Sequence, residues 1–204
     1  MKRKQNKKAQ TLLVCLAALA IVTVGITLAI LMDSSSTVKN EFTPAQVSCQ
    51  VEEVFDGEVK SNVQIRNTGN TEAYIRAAVI LTWKNGNNEV YAATPSDGGD
   101  CVILWNLSDD GWVKGADGFY YYTKEVSPCN HFGGQAHNEC LTSKLINSCS
   151  PIDGKAPEGY SLSVEIVASA IQSAPDHVVE GEWTNAMVTV KSNDGTLTIT
   201  SNGG

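Results

Sequence analysis

The chain has 204 residues, 42% of them hydrophobic and 18% charged, and a formal net charge of −7 at pH 7. That length and apolar content support one domain with a real core and do not require a second. The acid excess argues against a surface for nucleic acid or anionic lipid, since both partners are polyanions.

Residues 2–8 carry Lys2, Arg3, Lys4, Lys7 and Lys8 with no acid, and residues 12–32 are almost wholly apolar. Positive charge followed by an apolar run is the order of an export signal, expected as an N-terminal helix. The run is nearly long enough to span a bilayer as a helix of about 20 residues, so a retained anchor is the alternative to cleavage. Thr23, Gly25 and Thr27 dilute its far end, and Thr27-Leu28-Ala29 sets small residues three and one positions before a cut between Ala29 and Ile30. Residues 1–29 are therefore expected to be removed. Cys15 follows the bulky Val14 and does not make a lipoprotein site, and the Gly-Phe cut of a pilin signal is missing. Cleavage removes five of the fifteen basic residues and no acid, which leaves ten against twenty-two and a net charge of −12. The chain then meets a membrane only through its signal, before cleavage.

Residues 30–44 are expected to be a flexible segment. Ile30-Leu31-Met32 forms an apolar tip on the polar run Asp33-Ser34-Ser35-Ser36-Thr37, with no hairpin partner nearby. A sandwich has open sheet edges that can accept a strand through main-chain hydrogen bonds. The segment around Ile30, Leu31, Met32, Val38 and Phe42 is thus a candidate donor strand that orders on a neighbouring subunit, a head-to-tail arrangement that builds an open filament. A remnant that stays disordered or folds back on its own domain is the alternative.

Over residues 45–204 apolar and polar residues alternate with period two, which predicts strands and few helices. Ile75, Ala77, Val79, Leu81 and Trp83 form one phase of a long strand whose other phase carries Tyr74, Arg76 and Thr82. A second long strand has Leu162, Val164, Ile166, Ala168 and Ala170 in phase. Shorter strands fit Val47-Cys49-Val51, Val59-Ser61-Val63-Ile65, residues 102–105 and 119–126, Ala186-Val188-Val190 and Leu197-Ile199. Asn67-Thr68-Gly69-Asn70, Asn85-Gly86, Asp97-Gly98-Gly99, Asp117-Gly118 and Asp194-Gly195 supply residues that tolerate positive φ, as tight turns require. Many short strands joined by such turns predict an all-β antiparallel sandwich or barrel.

Val38-Lys39-Asn40-Glu41-Phe42-Thr43-Pro44, residues 67–78, the hairpin over 112–122 and Ser163-Val164-Glu165-Ile166-Val167-Ala168-Ser169-Ala170-Ile171-Gln172 resemble the TasA and camelysin family of Gram-positive bacteria, closest to clostridial members known by a SipW-type signal. The resemblance covers nearly the whole chain. It implies a jelly-roll β-sandwich, handling by a SipW-type signal peptidase, secretion, and assembly with itself or homologous matrix proteins into biofilm-matrix fibres by donation of the mature N-terminal segment. The sequence departs from the family where Pro128-Cys129 opens a longer loop ending at Cys140.

With Cys15 in the signal, Cys49, Cys101, Cys129, Cys140 and Cys149 remain, an odd number for an oxidising compartment. Cys129 and Cys140 bracket the loop and are candidates for a short disulfide. Cys49, in phase with Val47 and Val51, is a candidate partner for Cys149, which leaves Cys101 as a buried free thiol; five reduced cysteines are the alternative. His131, His137, Glu139, Cys129 and Cys140 share one loop and are zinc-ligand types, but the His spacing fits neither a helical pair nor a finger, and the disulfide is the preferred expectation. No metal or other cofactor is therefore expected.

The camelysin branch raises a secreted metallopeptidase as the alternative function, yet His-Glu-x-x-His does not occur, nor does a Gly-x-Ser-x-Gly elbow, a phosphate loop or a dinucleotide fingerprint. The Asp-Gly pairs lack the dense acid alternation of a calcium loop. Phe119-Tyr120-Tyr121-Tyr122 must point to both faces of its strand, so part is expected to be exposed; packing is the plainer account and carbohydrate stacking the sharper one. The last residues, Ser201-Asn202-Gly203-Gly204, carry no Leu-Pro-x-Thr-Gly motif, and release into medium or matrix is expected. The expected function is a non-enzymatic secreted structural protein of the extracellular matrix or cell surface.

Overall fold

The computed structural model describes residues 45–129 and 140–203. The expected cleavage site Ala29–Ile30, the assembly residues Ile30, Leu31, Met32, Val38 and Phe42, and His131, His137 and Glu139 lie outside the described residues. What is described is an antiparallel β-sandwich. Its strands are β1 Cys49–Phe55, β2 Lys60–Asn67, β3 Ala73–Asn85, β4 Cys101–Trp105, β5 Trp112–Lys114, β6 Tyr120–Val126, β7 Ile146–Pro151, β8 Tyr160–Gln172, β9 Val188–Asn193 and β10 Thr196–Ser201, with one helix, α1 His177–Trp183, between β8 and β9.

One sheet has the order β1-β2-β7-β4, the other β8-β3-β6-β10-β9 with β5 beside β6. The two long strands pair without a break, Ala73 opposite Gln172 through to Asn85 opposite Tyr160. This register sets Ile75, Ala77, Val79, Leu81 and Trp83 beside Ala170, Ala168, Ile166, Val164 and Leu162, so both apolar phases face the other sheet. Val63, Ile65, Cys101, Ile103, Leu145, Ile146 and Cys149 meet them from the four-stranded side, with Trp112, Tyr120 and Val126 completing the core.

Tyr74 was expected on a polar face, but it is fully buried. Alternate residues of β3 and β6 point away from the main core, and there Tyr74 and Tyr121 meet Val179 and Trp183 of α1 together with Val188, Val190 and Leu197. In the aromatic run Tyr120 and Tyr121 are buried for the same reason, and only Phe119 and Tyr122 stay partly accessible. Tyr120 stacks inward on Trp105 with ring centroids 4.6 Å apart, and Tyr121 packs outward against Trp183 at 5.7 Å. Arg76 lies over Phe119 at 4.4 Å and over Trp183 at 4.9 Å, an arrangement that uses the aromatic faces within the fold.

Turn chemistry acts where close geometry demands it. Asp194 and Gly195 have φ of 47° and 75° and join β9 to β10, as a two-residue hairpin with both central residues left-handed requires. At Gly69 a Cβ would stand 2.3 Å from the Gln46 carbonyl oxygen, so no side chain fits there. Beside it, buried Asn67 ties the sheets together: its Nδ2 donates to the carbonyls of Thr71 and Val126 at 2.8 Å each, and its Oδ1 accepts from the Gly69 amide at 2.9 Å.

Candidate functional site

A sandwich can take a further strand only where an edge still offers main-chain donors and acceptors. The terminal strands are β1 and β4 in one sheet, β8 and β9 in the other. Two of the four edges are capped from within the fold. Along β9 the amides of Val188, Val190 and Ser192 donate to Asn185 Oδ1, Thr184 Oγ1 and Glu180 Oε1. Along β4 the Ile103 amide and Trp105 Nε1 donate to the two oxygens of Asp97, at 3.0 and 2.8 Å, while the Cys101 carbonyl accepts from Gly98 N at 2.8 Å.

The β8 edge has no such cover among the described residues. It runs thirteen residues and meets only β3 in the sheet. Across the mouth of the sandwich it faces β1, and a groove separates the two. One part of about 280 Å³ is lined by Glu53, Phe55, Lys60, Lys84 and Leu162, and it continues past Val51, Val164, Ile166 and Val167. The groove has an apolar floor and a charged rim. Val51, Val164 and Ile166 pack on the main core, while Lys60 pairs with Glu53 at 2.7 Å and Lys84 with Glu165. The Lys84 ammonium holds the Glu165 carboxyl below its usual range. Phe55, 59% exposed at the end of β1, forms an apolar lip. A bulge between Glu52 and Val54 breaks the register of β1, the kind of irregularity that spoils an edge for pairing. Of the two groove walls, β8 is the regular one.

The cysteines divide differently from the sequence expectation. Cys129 and Cys140 form the expected disulfide, with Cα atoms 5.0 Å apart. Arg66 Nη1 donates to both sulfurs, at 3.2 and 3.4 Å, and main-chain bonds of Asn67 to Cys140 and Cys129 fasten the neck of the loop to the end of β2. The expected Cys49–Cys149 bond is not formed, and both are free thiols. Register explains the miss. Cys149 lies opposite Lys60, which lies opposite Phe55, whereas Cys49 lies opposite Asn67. Six residues along a strand separate the two rows by about 20 Å, beyond the roughly 7 Å between Cα atoms that a disulfide can span. Alternation told which face Cys49 occupies and not which row. Cys101 is buried and free, as expected.

With Cys129 and Cys140 bonded to one another, neither sulfur serves as a thiolate ligand for a metal. Among the described residues no group of three or more His, Cys, Asp or Glu side chains could hold a metal ion. The capped and uncapped edges were invisible to sequence reasoning, because the caps come from Asp97, Glu180, Thr184 and Asn185, residues that read only as turn or helix-end chemistry. Comparison with protein-family models, curated proteins and solved structures finds no match.

Proposed function

We propose that this is an exported structural protein of the extracellular matrix or cell surface, assembling when residues 30–42 of one copy add as a strand to the β8 edge of the next. The observation that carries this reading is the selective capping of edges: β4 and β9 are closed by side chains and loop amides, while β8 borders an apolar groove. The donor fits that groove in pattern. Val38, Asn40 and Phe42 fall on one face of an extended segment and Lys39 and Glu41 on the other, so apolar side chains can reach Val164 and Ile166 while charges of both signs meet the rim pairs. The Cys129–Cys140 disulfide is in keeping with an oxidising compartment. Among the described residues the metallopeptidase alternative gains no residue set.

The test is negative-stain microscopy with size-exclusion chromatography of the mature protein, of a deletion of residues 30–40, and of Phe55→Lys. The deletion is expected to give a folded monomer that forms no fibres. Phe55→Lys, at an exposed position, is expected to change stability by less than about 0.5 kcal/mol and to weaken assembly. Fibres from the deletion variant equal to those of the parent would sink the proposal, as would chelator-sensitive peptide hydrolysis by stringently purified protein.

A further inference from the structure

Among the described residues three cysteines lie outside the loop disulfide, and two of them are neighbours. In the register of β4 with β7, Cys101 lies opposite Pro151 and Cys149 opposite Ile103. The cysteines are therefore diagonal neighbours two residues out of step, and positions that differ by two share one face. Both point into the main core, with exposures of 0% and 1%. Each thiol perturbs the ionisation of the other, and the Cys101 thiol donates to the Ser96 carbonyl at 3.5 Å.

Cys49 stands apart on β1, half-buried, with two strands between it and β4. The five described cysteines are thus one disulfide, two neighbouring thiols and a single residue, Cys49.

We propose that Cys101 and Cys149 are a second disulfide site, closed by thiol–disulfide exchange with a disulfide oxidant while the chain folds in its oxidising compartment. Cys101, as thiolate, attacks one sulfur of the oxidant, forms a mixed disulfide and expels a thiolate. Cys149, as thiolate, then attacks Cys101 Sγ and expels the second. The two protons released by the cysteines end on the two departing thiolates, so one oxidant disulfide is reduced to two thiols as one protein disulfide forms. A disulfide needs its sulfurs about 2.05 Å apart, and the movement that brings them there falls on β4, a five-residue strand that pairs in the sheet with β7 alone.

The timing follows from burial. Burial pushes the Cys149 thiol up to about 12 and raises Cys101 as well, so the thiolates that exchange needs are scarce in the finished sandwich. Exchange is fast before β4 docks and slow afterwards. The same burial shields the closed bond from external thiols.

The experiment is to unfold and reduce the full chain, refold it in a mixture of reduced and oxidised glutathione, unfold it again without reductant in the presence of iodoacetamide, and map the peptides. The expected map contains Cys101 joined to Cys149 and Cys129 joined to Cys140, with Cys49 alkylated. Cys49→Ser should keep the Cys101–Cys149 peptide, and Cys101→Ser should lose it and render Cys149 alkylatable. A wild-type map in which Cys101 and Cys149 are both alkylated, or in which Cys49 is joined to either, overturns the proposal; the wild-type map decides even if a variant fails to fold.

Discussion

The four-stranded sheet carries Cys49, Cys101 and Cys149 on its strands and the Cys129–Cys140 disulfide at its rim, whereas no strand of the six-stranded sheet contains a cysteine. The six-stranded sheet is covered on its inner face and on part of its outer face, Ile80 and Val167 beyond the helix staying 43% and 53% exposed. Its inner face makes the main core, and over part of its outer face α1 seals Tyr74, Tyr121, Val188, Val190 and Leu197. The outer face of β4 has no such cover, and Val102 and Leu104 there are 44% and 55% exposed. A sheet buried on two sides is held by apolar area, and one buried on a single side gains more from cross-links that restrict its unfolded chain.

The comparison is sharpened most strongly by two tryptophans. Trp112 lies fully buried between the sheets with Nε1 donating to the Ser143 carbonyl at 2.8 Å, while Trp183 belongs to the outer cluster at the end of α1. Trp112→Ala is expected to cost about 5 kcal/mol and Trp183→Ala about 3 kcal/mol, the two ends of the range for such truncations. Hydrogen exchange should show global loss of protection in the first and loss limited to α1, β9 and β10 in the second. Equal, global loss in both would mean that the outer cluster is no satellite but part of a single core.

Cross-links come next in size. Cys129 and Cys140 are 11 apart in sequence, and removing their bond by Cys129→Ser with Cys140→Ser is expected to cost about 3 kcal/mol in urea unfolding. The sandwich should stay folded, with protection lost only at the neck of the loop, since β2 and β6 keep their own ladders and the Asn67 tie. Collapse of the whole fold would show that the four-stranded sheet depends on its rim.

At neutral pH the two sheets are not separated by titration, and the remaining test is a pH dependence. Burial raises the Cys101 and Cys149 thiols above their ordinary value of 9.0, and it raises Tyr120 and Tyr121 from 10.0 to about 12. Each group is kept neutral by the fold, so the unfolded chain ionises first as pH rises. Stability is full below the unfolded values and falls as pH climbs through them toward the folded ones. Reduced protein should weaken from about pH 9 and more steeply above 10, measured by urea midpoints across pH 7–12. Protein with Cys101 joined to Cys149 should keep only the share of the first part that Cys49, also raised by burial, contributes. A flat profile over the whole window would contradict the burial of these groups.

Much of the architecture was legible residue by residue. The alternation through Ile75 and Trp83 and through Leu162 and Ala170 foretold β3 and β8 with their buried faces, and Asp117-Gly118 and Asp194-Gly195 marked hairpins that form where expected. Strand β7 was missed because Ile146-Asn147-Ser148-Cys149-Ser150-Pro151 is mostly small and polar, and its place between β2 and β4 comes from neighbours on both sides. Helix α1 was missed because seven residues are too few to show a period.

Period and turn chemistry are local properties, so the sequence by itself determined the strand class, the facing of the long strands and the short loop disulfide, whose partners lie close along the chain. Tertiary structure alone decided which cysteine meets which, because alternation assigns a side chain to a face while register between strands distant in sequence assigns it to a row. It also decided which edges the described residues leave uncapped. Main-chain groups at an edge are the same in every strand, and whether they are satisfied depends on what packs beside them: Asp97 at β4, the residues of α1 and its following turn at β9, and a groove at β8.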